Sequence, residues 1–182
     1  ALYVVCREPR QLTRIALNPL RVEWKMPLPG EPVDFALAAN GAIAAVSSPG
    51  PKPLHLLDLE ARAAHPLGVE ADIGAVRFLS NSKTLIAADR GARRLSIYDV
   101  ASRRLATHLP LSVRPDHLCF NADGGQLFVT GEGMDAVVVV YPYFTPQVAG
   151  TVLAGHSPGA MAASANPPYL FVANPKAGDV SI

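Results

Sequence analysis

The sequence predicts an all-β chain made of β-propeller blades, each of four antiparallel strands, with a period of about 42 residues and an incomplete ring. Three observations carry the prediction. The 182 residues include 14 Gly and 17 Pro, which interrupt the chain too often for long helices. The composition is 49% hydrophobic and only 17% charged, so the chain can bury enough apolar surface to offset the entropy of ordering it. The third observation is self-similarity. Pro32-Val33-Asp34-Phe35, Ile73-Gly74-Ala75-Val76, Pro115-Asp116-His117-Leu118 and Pro158-Gly159-Ala160-Met161 begin 41, 42 and 43 residues apart. A β-sandwich would show turns at similar spacing but no fixed long period.

Each unit repeats one series of elements. After the opening segment come an apolar stretch and a turn: Ala39-Asn40-Gly41, Ser80-Asn81-Ser82-Lys83, Asn121 to Gly125, and Ala165-Asn166-Pro167-Pro168. A second apolar run follows, Ala42 to Val46, Thr84 to Ala88, Gln126 to Thr130 and Tyr169 to Ala173. In the third run Leu56-Leu57-Asp58-Leu59 matches Ile97-Tyr98-Asp99-Val100, and Val139-Val140-Tyr141-Pro142 lies in register without the Asp. A fourth, more polar run such as Arg104 to Leu111 closes the unit and fits an outer strand. Five segments result: a partial blade at 1–31 lacking its inner strand, blades at 32–72, 73–114 and 115–157, and a partial blade at 158–182 lacking its outer strand.

Asp123-Gly124-Gly125-Gln126-Leu127-Phe128-Val129-Thr130-Gly131, Asn166-Pro167-Pro168-Tyr169-Leu170-Phe171-Val172-Ala173-Asn174 and Gly178-Asp179-Val180-Ser181-Ile182 resemble the repeat of the YVTN family of seven-bladed propellers of surface-layer and envelope proteins. The resemblance covers most of the chain from Pro32 onward. It departs at Ala42 to Val46, which lacks the aromatic, and at Tyr141, which replaces the aspartate. It implies a periplasmic or extracellular location and a ring of about seven blades. The chain is then expected to be part of a longer propeller, or one completed by another chain. Unpaired strands at its two ends would favour self-association.

Net charge is +1, without the basic footprint of a nucleic-acid binder. The longest apolar run, Ala136 to Tyr141, is far shorter than the roughly 20 residues of a membrane helix. Cys6 and Cys119 share no metal or disulfide spacing and read as small buried hydrophobes. Ala1 begins directly in a strand-like run, so either a signal peptide has been removed or the chain starts inside a longer protein. No motif asks for a cofactor or a metal. The single Trp24 does not fit the quinone-dependent propellers, whose blades each carry a Trp docking motif.

Propeller ligands sit where the innermost strands begin. That repeat position holds Asp34, Ala75, His117 and Ala160, with Asp116 just before His117. Asp116 and His117 suit an acid and base pair or a metal; the alternative is a loop cap and a backbone hydrogen bond. Loops between second and third strands add Arg90, Glu132 and Asn174 as rim candidates, although turn chemistry alone also explains them. His55, His65, His108 and His156 share no ligand spacing and read as surface or strand-edge residues. Charge is uneven: residues 73–114 hold eight basic and two acidic side chains, residues 115–157 four acidic and none basic. That asymmetry suits a charged partner or a second copy, although solvated loop charge with no partner explains it as well. The sequence favours a non-catalytic binding or scaffold module for a protein or polymer ligand. The alternative is a lactonase-like or oxidoreductase-like enzyme with its site in the funnel.

Overall fold

The computed structural model describes residues 1–68 and 71–182; Val69 and Glu70, within the expected blade at 32–72, lie outside the described residues. Among the described residues eighteen strands form five antiparallel sheets in chain order. The first sheet comprises β1 (Leu2–Cys6), β2 (Gln11–Leu17) and β3 (Leu20–Pro27). The second holds β4 (Asp34–Leu37), β5 (Ile43–Ser47), β6 (Leu54–Asp58) and β7 (Ala63–Pro66). The third holds β8 (Ile73–Phe78), β9 (Thr84–Asp89), β10 (Arg94–Asp99) and β11 (Arg104–Pro110). The fourth holds β12 (Arg114–Phe120), β13 (Leu127–Glu132), β14 (Ala136–Tyr141) and β15 (Gln147–Leu153). The fifth holds β16 (Met161–Ala163), β17 (Leu170–Asn174) and β18 (Asp179–Ser181). Every neighbour in a sheet is the next strand in sequence, the meander that short turns produce. There is no helix among the described residues.

The turns have specific chemical causes. At the hairpins joining the first two strands of the second, third and fourth sheets, Asn40, Asn81 and Asn121 accept the backbone N–H of Ala42, Lys83 and Gln126 through Oδ1, at 2.9–3.0 Å. The first two bonds are Asx turns, which Asn favours because its short amide mimics a backbone carbonyl, whereas that of Asn121 spans the five residues of a longer loop. The outer hairpins use Asp instead. Asp58 accepts from the Glu60 and Ala61 N–H groups, and Asp99 from the Ser102 N–H and hydroxyl. Arg62 and Arg103, with φ of 53° and 57°, occupy the left-handed position of these two turns.

Strand periodicity divides each sheet into two apolar faces. On β9, Leu85 and Ala87 pack toward the second sheet with Ala45, Leu54 and Leu56, whereas Ile86 and Ala88 pack toward the fourth with Leu127, Val129, Val138 and Val140. Leu12, Met26 and Leu28 of the first sheet meet Ala44, Val46 and Leu57 of the second. The outermost strands β11 and β15 are largely exposed. Neighbouring sheets are also bonded directly: the buried hydroxyls of Ser47 and Thr130 donate to the carbonyls of Gly74 and Gly159 in the next sheet, at 2.7 and 2.6 Å.

Some side chains depart from the sequence reading. Cys6 and Cys119 are free and only half-buried. His55, expected at the surface, is buried on β6 with no hydrogen-bond partner for Nδ1 among the described residues. It sits in the third strand, whose both faces are covered by neighbouring sheets, and that placement overrides its polarity.

Candidate functional site

The rim at which β8 and β12 begin carries a chain of alternating charges. Asp72 precedes β8, Arg90 follows β9, Arg114 opens β12 and Glu132 ends β13. Arg90 Nη2 and Nε donate to Asp72 Oδ1 at 2.7 and 3.1 Å, and Nη1 donates to Asp116 Oδ1 at 3.0 Å. Arg114 Nη2 donates to Asp72 Oδ2 at 3.0 Å, and Nη1 to Glu132 Oε2 at 3.0 Å. His117 Nε2 lies 3.9 Å from Asp116 Oδ2. The order Glu132, Arg114, Asp72, Arg90, Asp116 thus runs between the third and fourth sheets, with each cation bridging two carboxylates.

Backbone irregularities aim these side chains. The pairing of β12 with β13 shifts register between Pro115 and His117, which leaves Asp116 as an extra residue in a bulge. β8 has a shift at the matching place, between Ile73 and Val76. Gly131 is required for this approach, since a Cβ there would overlap the Arg114 carbonyl. At Gly74 a Cβ would press on Arg90 Cδ and Asp116 at 3.3 Å.

The electrostatics follow from the pairing. Partial burial pushes the Asp72 carboxyl up, but hydrogen bonds and charge from Arg90 and Arg114 outweigh it and hold the group below its ordinary range. Burial likewise works against the Arg90 cation, and Asp72 with Asp116 more than compensates, raising its affinity for the proton. The hydrogen bonds that Arg114 donates to Glu132 and Asp72 raise its own.

Of the residues singled out from sequence, Arg90, Asp116, His117 and Glu132 come together. Asp34 stands apart: its Oδ2 accepts from the Val76 N–H at 2.9 Å and from Arg77 Nη1 at 2.6 Å, linking β4 to β8. Asn174 is fully buried, and its Nδ2 donates to Asp179 Oδ1 at 2.8 Å and Ser181 Oγ at 2.9 Å within the fifth sheet. Asp72 and Arg114 were missed. The signal was available, because Asp72 and Arg114 lie 42 residues apart, so one repeat position inverts charge between consecutive blades.

The same rim holds a second cleft, of about 550 Å³, between the fourth and fifth sheets and lined by Glu132, Asp135, His156 and Lys176. His156 Nδ1 and Asp135 Oδ2 are 3.0 Å apart, and the Ser157 N–H donates to Asp135 Oδ1 at 2.9 Å. That backbone bond, with the one to His156, holds the Asp135 carboxyl below its ordinary range. Among the described residues no group of three or more His, Cys, Asp and Glu side chains is placed to hold a metal ion, and no helix is long and apolar enough to cross a membrane.

No protein-family model matches the chain, and no curated protein sequence matches it. Solved structures do. Hydrazine synthase of Kuenenia stuttgartiensis superposes with a TM-score of 0.72 at 13% identity, over 93% of this chain and 51% of that one. The periplasmic gluconolactonase PpgL of Pseudomonas aeruginosa gives 0.66 at 19% identity, over 93% and 61%. The dihydro-heme d1 dehydrogenase NirN, solved in complex with DHE, gives 0.64 at 10% identity, over 94% and 42%. The fold is that of a β-propeller. At these identities the likeness carries the fold and no activity. The chain spans about half the length of these solved structures.

Proposed function

We propose that the chain is a non-catalytic propeller module of the YVTN-repeat kind that binds a protein or polymer ligand at the cell envelope. The observation that carries this reading is the fate of the rim charges. Arg90, Arg114, Asp72, Asp116 and Glu132 are spent on one another, and two of the four pairs, Arg90 with Asp116 and Arg114 with Asp72, cross the boundary between two sheets. A metal or substrate site needs such groups free to face a ligand. Here they act as fasteners that fix the relative placement of two blades, and with it the loops each displays. The repeat resemblance and the likeness to a periplasmic propeller support an envelope location.

The second reading is a lactonase-like or oxidoreductase-like enzyme. It draws on the Asp135 and His156 pair, in which a carboxylate positions an imidazole beside an open cleft. Incubating the purified chain with gluconolactone, with and without Ca²⁺, Mn²⁺ or Zn²⁺, separates the two. The binding-module reading predicts turnover no faster than the buffer blank, in the wild type and in His156→Asn alike. Metal-dependent turnover that disappears in His156→Asn or in Asp116→Asn overturns it.

A further inference from the structure

On the opposite rim, where β4 turns into β5 and β6 into β7, a cleft of about 420 Å³ opens between the first and second sheets. That volume lies within the roughly 300–1,000 Å³ of small-molecule sites. One wall is a row across the first sheet: strand register sets Tyr3 opposite Arg14 and Arg14 opposite Trp24. Residues in one row share a face. The rings of Tyr3 and Trp24 meet edge to face, with centroids 6.0 Å apart. The other wall is built from the two turns, which contribute Asn40, Glu60 and Arg62. The guanidinium of Arg62 stands over the indole of Trp24, 5.8 Å from its centroid.

The polar groups of this lining have unused capacity. Arg14 is paired with Glu23 at 2.7 Å, yet its Nε is buried with no partner among the described residues. Asn40 Oδ1 is taken by the Ala42 N–H, which leaves its amide NH₂ to donate. Neither Arg62 nor Glu60 has a side-chain ion pair among the described residues. Charge nearly cancels, because Glu23 is paired with Arg14 and the lining carries one further cation, Arg62, and one anion, Glu60. An ionic ligand would gain little from such a lining. A neutral ring bearing several hydroxyls, each able to donate and to accept, uses donors and acceptors side by side, and its C–H face packs on aromatic rings.

We propose that this cleft binds a neutral pyranose unit of a glycan, seated against Trp24 and Tyr3 and hydrogen-bonded by Arg14, Arg62, Glu60 and Asn40. The proposal deepens the binding-module reading, and rests on it, by naming a polymer class and a place for it away from the ionic rim.

Trp24 is the sole tryptophan, so its emission reports on this cleft without a label. The test titrates the intact chain with cellotetraose, chitotetraose and, as the charged arm, tetragalacturonate, following Trp emission and the heat of binding. A neutral tetrasaccharide is expected to give a saturable emission change, and tetragalacturonate to bind at least about tenfold more weakly. Arg62→Ala and Glu60→Ala, both at exposed turn positions, are each expected to weaken calorimetric binding by about tenfold, the scale of one lost hydrogen bond to a charged group, with melting temperatures within about 4 °C of the wild type, the most that loss of an exposed cation–π contact should cost. Binding of tetragalacturonate alone, binding indifferent to both substitutions, or binding of none of the three overturns the proposal. Chromatography of the same samples keeps the two readings apart: cleaved saccharide refutes the non-catalytic reading, whereas intact, unbound saccharide refutes only the glycan site.

Discussion

Replacing Arg90 with Met removes the centre of the ionic chain while keeping most of the aliphatic stem. Three hydrogen bonds are lost, two to Asp72 and one to Asp116. Asp72 keeps Arg114, but among the described residues Asp116 is left with only His117 at 3.9 Å. Arg90 is 24% exposed and the carboxylates 46% and 44%, so water screens both pairs. Each then falls in the upper part of the roughly 0.2–1 kcal/mol of exposed pairs, and the substitution should cost about 1–2 kcal/mol. For a chain of this size that lowers the melting temperature by about 2–8 °C. The assay is urea and thermal unfolding of wild type, Arg90→Met, Asp116→Asn and the double variant, where the cycle should return a coupling of about 0.5 kcal/mol or more. About 0.5 M NaCl should shrink that coupling. A coupling indistinguishable from zero at low salt, or an Arg90→Met protein as stable as wild type, would refute the fastener role.

Gly131→Ala forces a methyl into the Arg114 carbonyl and should cost at least about 2 kcal/mol by urea unfolding, toward the upper end of overpacking penalties. Leu85→Ala empties a fully buried site between the second and third sheets and should cost about 2–5 kcal/mol in the same assay. Burial holds the His55 imidazole below its ordinary pKa, with Lys52 adding to the effect, and burial acts on His108 in the same direction. The unfolded chain therefore takes up protons first, and stability should fall as pH drops from above the ordinary histidine value of about 6.5. His55→Gln should flatten the urea midpoint between about pH 7 and pH 5. Below about pH 4 the depressed Asp72 and Asp135 carboxyls give a second loss as they are protonated, and Asp72→Asn should reduce that limb.

The propeller was legible because its determinants are local and repeated. Asn40, Asn81 and Asn121 recur where a tight hairpin needs an internal acceptor, and Asp58 and Asp99 recur where the outer turn needs one. Alternation along β9 assigns Leu85 and Ile86 to opposite faces without reference to distant sequence. The rim was only half legible. Arg90, Asp116, His117 and Glu132 were found because they occupy repeat positions at the funnel, but their role depends on what faces them across the sheet boundary. A single blade does not encode that relation. Asp72 and Arg114 acquire meaning only as a pair inverted in charge one repeat apart, and Asp135 with His156 pairs across a loop with no periodic signature. Asn174 read as a rim residue, yet it is buried and its Nδ2 donates inside its own sheet. His55 was misplaced because a lone polar residue in a covered strand gives no sign of burial in its own spacing.

The central claim is that the funnel-rim charges join blades and hold no ligand of their own. Isothermal titration of the purified chain with Ca²⁺, Mn²⁺ and Zn²⁺ near neutral pH tests it most directly. The account predicts no saturable heat above dilution for any of the three ions. A stoichiometric isotherm that vanishes in Asp116→Asn, while that variant remains folded, would contradict it.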